Sequence, residues 1–142
     1  MKRTLVFISI IFVLLALSGC GLLPGGAGND LNGTSWTLES YGGKSLLSET
    51  RMTAIFESGE VSGSASCNHY FGSYQAKGNQ ITINGLGWTE MACMNPEGLM
   101  EQESTIMSMV SKAVSYSTEG GKLQIQVEGG EMLVFLPLES VD

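Results

Sequence analysis

The sequence predicts a mainly β domain: a curled antiparallel sheet or incomplete barrel with one α-helix inserted late in the chain. Three observations carry this. From Leu31 onward, apolar residues mostly recur at every second position, the period of a half-buried strand. Glycines punctuate the pattern at short intervals, 19 of them in 142 residues. One stretch only, after Asn95, changes to a helical period, so the helix would cap the open side of the sheet.

Each element follows from its residues. Ser35 to Tyr41 places Trp36 and Leu38 on one face and Thr37 and Glu39 on the other, and Gly42-Gly43 ends it. Met52, Ala54 and Phe56 alternate in a second strand, followed by a turn at Glu57-Ser58-Gly59-Glu60. Val61 to Cys67 alternates with small inward residues: Val61, Gly63, Ala65 and Cys67. Tyr70 to Ala76 is a fourth strand, Lys77-Gly78-Asn79 a turn, Gln80 to Ile83 a fifth strand and Trp88 to Met91 a short sixth. Ser115 to Thr118, Lys122 to Glu128 and Met132 to Leu136 complete the sheet. Gly120-Gly121 and Gly129-Gly130 are read as their hairpin turns. Pro137 stops the last strand, because proline has no donor for the ladder.

The helix begins at Asn95-Pro96-Glu97: a capping residue, proline at the first position and an acid in the first turn. Leu99, Ile106, Val110 and Ala113 recur at helical spacing, with Met107 and Val114 flanking, while Glu101, Gln102, Glu103 and Lys112 are polar. This predicts an amphipathic helix of about 18 residues with its apolar stripe on the sheet.

The amino terminus sets the compartment. Lys2 and Arg3 precede a run from Leu5 to Leu17 that only Ser9 interrupts. About 13 residues is too short to span a bilayer, which takes roughly 20, and fits the apolar region of a signal peptide. The run closes on Leu17-Ser18-Gly19-Cys20, which resembles a lipobox. Residues 1–19 are therefore expected to be removed as a lipoprotein signal peptide, leaving Cys20 acylated, with palmitate among its chains. An ordinary signal peptide with a chance cysteine and an uncleaved anchor are the alternatives. Several acyl chains would hold the protein firmly, since one alone binds marginally. Residues 20–30 are glycine-rich without periodicity and read as a flexible tether; residues 31–138 form the domain. Gly21, rather than an aspartate, follows the cysteine. This favours the outer membrane in a two-membrane cell, or the outer face of the cytoplasmic membrane in a one-membrane cell.

The net charge is −7, and more acidic still once Lys2 and Arg3 are removed. Such a chain repels nucleic acid and anionic headgroups, so the lipid must do the tethering. What remains is long enough for one domain and too short for two. It is expected to be a monomer without a cofactor.

Three segments resemble one family. Gly33-Thr34-Ser35-Trp36-Thr37-Leu38 is similar to a G-x-x-W-x-L opening strand. Val61-Ser62-Gly63-Ser64-Ala65-Ser66-Cys67-Asn68 resembles a v-x-G-x-x-G-C-N signature, and Thr89-Glu90-Met91-Ala92-Cys93 a T-x-M-A-C signature. All three signatures are those of the META domain family, which this chain resembles and which includes HslJ-type heat-shock lipoproteins. The resemblance covers about Leu31 to Pro137. It implies a small lipocalin-like β-barrel with one helix, an association with stress and drug tolerance, and some similarity to pilot lipoproteins of secretion systems. Ser66 stands where the family has glycine, and His69 where it has a basic arginine.

With Cys20 lipidated, Cys67 and Cys93 remain, an even pair outside the cytoplasm and each inside a signature motif. A disulfide is expected, shielded by the sheet and the helix; two buried thiols, or a metal-binding or redox pair, are the alternatives. Asn68 either caps a turn or binds a ligand. His69, the single histidine, is a surface residue, a metal ligand or a base. Trp36 and Trp88 are core or rim residues, and Tyr70 and Trp88 are candidates for the mouth of a pocket. Met91, Met94, Met100, Met107 and Met109 raise copper(I), but packing explains methionines more simply. Glu97 and Glu101, one turn apart, fit a helix start better than a calcium site.

No phosphate loop, nucleophile elbow or H-E-x-x-H occurs. The expected function is therefore a membrane-anchored, non-enzymatic binding or stress-tolerance module that contacts a protein partner or an apolar ligand. The alternative is a metal-handling or redox protein using Cys67, Cys93, His69 and the methionines.

Overall fold

The computed structural model describes residues 31–138. The expected signal peptide, the expected lipidation site Cys20 and the expected tether lie outside the described residues. Strands β1 (Thr34–Tyr41), β2 (Lys44–Ser45), β3 (Thr53–Glu57), β4 (Glu60–Ser64), β5 (His69–Lys77) and β6 (Gln80–Trp88) lead into helix α1 (Leu99–Val110). Strands β7 (Ala113–Ser117), β8 (Leu123–Val127) and β9 (Met132–Pro137) follow, with a 3-10 turn at Glu119–Gly121 before β8.

Every neighbouring pair is antiparallel, and β1 pairs with both β3 and β9. Eight strands therefore close into a barrel, with β2 outside the ring as a short hairpin extension of β1. The weakest seam is β6–β7, where Gln80 opposite Ser115 is the one registered pair among the described residues. That is the seam in which α1 is inserted.

Period-two alternation explains the core. Trp36, Leu38, Ala54, Phe56, Val61, Tyr70, Tyr74, Ile81, Ile83, Leu123, Ile125, Leu133 and Phe135 point inward and are buried. Phe56 and Tyr74 meet edge to face, with ring centres 5.0 Å apart, the arrangement that sets a positive ring edge on a negative face. Leu31 is buried in the same core, beside the start of β1. α1 lies across the other end of the barrel, where β4 ends and β5 and β7 begin, and adds Ile106, Met107, Met109 and Val110 to the core.

Several boundaries differ from the sequence expectation. The helix has 12 residues and starts at Leu99, behind Gly98 in left-handed geometry (φ 84°). Asn95, Pro96 and Glu97 form a turn instead, in which Leu99 N–H donates to the Pro96 carbonyl at 3.1 Å. Ala113 and Val114 belong to β7, where Ala113 is buried as an inward strand residue. The expected fifth strand and the first residue of the expected sixth are one element, since β6 runs on to Trp88 through a bulge; Thr89 to Met91 are not a strand. The third expected strand stops at Ser64, because Ser66 turns the chain with φ 95°. β2 had no apolar alternation to announce it. β9 does end at Pro137, and one further bond follows it, from Leu138 N–H to the Ser35 carbonyl at 2.9 Å.

Candidate functional site

The two signature motifs meet at the helix-capped end. Cys67 and Cys93 are joined by a disulfide, with Cα atoms 5.9 Å apart. Cys67 is buried and Cys93 half-buried, so the bridge is shielded on one side only. Asn68 is 2% exposed, and its side chain is fully used. Oδ1 accepts from Thr89 Oγ1 and from Met91 N–H, both at 2.8 Å, and Nδ2 donates to the Met91 carbonyl at 3.2 Å. Asn68 thus holds the segment after β6 in place, as a turn-forming role requires.

The partner that sequence reading missed is Glu103. It is 5% exposed. Its Oε1 accepts from Cys67 N–H at 2.6 Å and Asn68 N–H at 2.8 Å, and its Oε2 accepts from Asn68 Nδ2 at 2.8 Å. Gln102, beside it, is also buried: Oε1 accepts from Leu47 N–H at 2.7 Å, and Nε2 donates to Thr50 Oγ1 at 3.1 Å. Two adjacent polar residues, expected on the solvated face, pin α1 to two different loops. The signal was spacing. Glu103 lies four after Leu99 and three before Ile106, on the apolar stripe itself.

The other candidates separate. Tyr70 does not reach a pocket mouth: it is a core residue whose hydroxyl donates to the Thr53 carbonyl at 2.8 Å. Burial pushes its phenol well above the usual tyrosine range. Trp36 is also core, and its Nε1 donates to Thr34 Oγ1 at 2.7 Å. Trp88 stands opposite Tyr70 on the inward face but beyond the core, 49% exposed. His69 is exposed; its backbone pairs with Thr89 on both sides. Met107 and Met109 pack the core, whereas Met91, Met94 and Met100 are exposed, so packing explains only some of the methionines. Glu97 and Glu101 are exposed. Among the described residues, no group of three His, Cys, Asp or Glu side chains could hold a metal ion.

What Trp88 does line is a groove between β6 and α1. A small cavity of about 90 Å3 lies between Trp88, Met100, Met107 and the Asn68–Glu103 pair. It opens beside a wider groove walled by Leu86, Trp88 and Met107. On the opposite flank of α1, a more polar cleft of about 380 Å3 is lined by Tyr41, Lys44, Ser108, Lys112, Glu128 and Glu131, among others.

The family model described as the META domain matches residues 29–140. Heat shock protein HslJ of Escherichia coli (strain K12) is 30% identical over 92 residues, covering 63% of this chain and 64% of that protein. The chain thus spans a little under two thirds of that relative. An NMR structure of a protein from Burkholderia xenovorans matches with a TM-score of 0.63 at 24% identity, covering 78% of this chain and 85% of that one. A second NMR structure matches with a TM-score of 0.60 at 25% identity, covering 75% and 90%. These likenesses bear on the fold.

Proposed function

This chain belongs to the META domain family, and from that premise we propose that it is a membrane-anchored envelope lipoprotein whose barrel is a non-enzymatic binding module. The observation that carries the reading is the groove at the helix-capped end. Trp88, Met100 and Leu86 present apolar surface there, on a frame that the disulfide, Asn68 and Glu103 hold fixed. The buried polar groups nearest to it are engaged in holding loops. A preformed apolar wall with few polar groups is a common form of binding site. The likeness to Heat shock protein HslJ supports a heat-shock-related role; the bound species of this reading is a protein partner or an apolar ligand.

Anchoring through Cys20 rests on the Leu17-Ser18-Gly19-Cys20 site. Affinity capture of the acylated chain from its own membrane, run beside Trp88→Ala and read by mass spectrometry, tests the binding role. The expected result is a partner or ligand retained by the native chain and lost with Trp88→Ala. Identical sets from both would refute the groove as the contact face.

A further inference from the structure

β6 has two edges. One is registered with β5 along most of its length. On the other, Gln80 opposite Ser115 is the one registered pair among the described residues. The cause is local: β7 follows β8, while β6 bulges near Gly85 (φ 61°) and continues toward α1. The two strands part, and an open groove of about 600 Å3 lies between β6 and the helix. Ile83, Leu86 and Trp88 line it from β6, and Ser104, Met107 and Ser111 from α1 and its end.

Alternate residues of a strand turn their backbone groups toward the same edge. The Asn79 carbonyl accepts Tyr116 N–H at 2.8 Å, so Asn79, Ile81 and Ile83 face the β7 side. Ile83 lies beyond the last registered pair. A strand edge of this kind is a template for another strand.

We infer that the groove takes an extended, uncharged peptide segment of a partner protein, which adds as a strand to the β6 edge beyond Gln80. Main-chain hydrogen bonds along the edge supply affinity, and alternate side chains settle against Leu86, Trp88 and Met107. Charge selects the occupant. Among the described residues, no charged one lines the groove, in a chain of net charge −7. A segment bearing Lys or Arg there would lose water without gaining an ion partner. One bearing Asp or Glu would also meet the acidic field of the domain. An acyl chain would use the apolar wall and leave the backbone edge without a partner.

The inference rests on the groove being the binding face, and the test separates the two. Full-length acylated chain in lipid nanodiscs is titrated with a capped peptide of about six alternating Thr and Val residues, a typical strand length. Two twins are run beside it: one N-methylated at every second amide, which keeps the side chains and loses the strand-forming donors, and one with Lys in place of Val, the side chains that meet the wall. Octanoate serves as a short acyl probe. The plain peptide should bind and slow hydrogen exchange at the Ile83 amide. Both twins should bind at least about tenfold more weakly. Trp88→Ala, and Ser104→Trp to fill the groove, should weaken binding to a similar degree. Equal binding by the N-methylated twin, or octanoate binding with no peptide binding, overturns strand addition and leaves the groove reading standing. No binding by any probe, or binding untouched by both substitutions, overturns both.

Discussion

Glu103 and Asn68 hold one another across the mouth of the barrel: the Glu103 carboxylate accepts from both the backbone N–H and the side-chain Nδ2 of Asn68, each at 2.8 Å. Hydrogen bonds to a buried charged acceptor are among the stronger ones. Glu103→Gln sets an amide donor against a donor, and should lower unfolding free energy by about 1–3 kcal/mol in urea denaturation. Unchanged stability would refute the carboxylate as the strut. Asn68→Ala should speed amide exchange at Met91 ahead of global unfolding, because Met91 loses both of its backbone partners there.

The disulfide spans a sequence separation of 26. Closing a loop of that length is worth about 3–4 kcal/mol on the chain-entropy model. Reduction, or Cys67→Ala with Cys93→Ala, should cost up to that amount, and reductant should then have no further effect on the double variant. Two reactive thiols titrated in the folded protein as isolated would refute the bond.

Ser66 occupies a backbone conformation with φ 95°, where the related signature has glycine. Its hydroxyl offsets the strain by accepting from Arg51 N–H and donating to the Arg51 carbonyl, both at 3.0 Å. Ser66→Ala keeps the strain and loses both bonds, while Ser66→Gly loses the bonds and the strain together. The glycine variant should exceed the alanine variant by about 1 kcal/mol or more. Gly63 is a different case. A Cβ there would lie 2.0 Å from the Thr53 carbonyl oxygen, so Gly63→Ala should cost about 3 kcal/mol through overpacking. Thermal melts of the three variants check both points.

Tyr70 gives an alkaline signature. Its phenol is raised by burial, whereas in the unfolded chain it ionises at about pH 10. Above that pH the unfolded state binds fewer protons than the native state, so stability falls as pH rises. Tyr70→Phe should cost about 1 kcal/mol at neutral pH, from the lost bond to Thr53. It should also flatten the decline above about pH 10. An unchanged slope would place the titration elsewhere.

Cys20→Ser should yield an unacylated chain that leaves the membrane fraction. Continued membrane partition together with labelled palmitate incorporation would defeat the anchoring proposal. Trp88→Ala, by contrast, should leave stability within about 0.5 kcal/mol, as is usual for exposed positions, so that a lost partner reports binding and not unfolding.

Strands with an alternating apolar face were legible because burial on one side imposes period two: Trp36 and Leu38 in β1, or Leu123 and Ile125 in β8, announce themselves. The pairing of Cys67 with Cys93 was legible from their places in two signature motifs together with the expected export of the chain. Helix limits were not. Gly98 breaks the run behind a proline that resembles a first-turn residue, and Ala113 is buried in a strand at a spacing that also suits a helix. Glu103 and Gln102 were hidden because residue type alone assigns them to solvent; only their position on the apolar stripe contradicts that. Tyr70 and Trp88 share a register pair, yet one is core and the other rim, a difference of depth along the barrel that alternation does not encode.

The placement of β1 has a mechanical consequence. The described chain enters the barrel at Leu31, beside the start of β1 and at the end away from α1. β1 is bonded on both flanks, to β3 from Thr34 to Thr37 and to β9 from Trp36 to Tyr41. A pull between the chain ahead of Leu31 and anything gripping the helix end runs along the strand axis. It therefore loads both ladders in shear, so their bonds share the force and do not peel one by one. Tension entering the barrel at this end is carried lengthwise, and the strand that meets it first, β1, is laddered on both flanks.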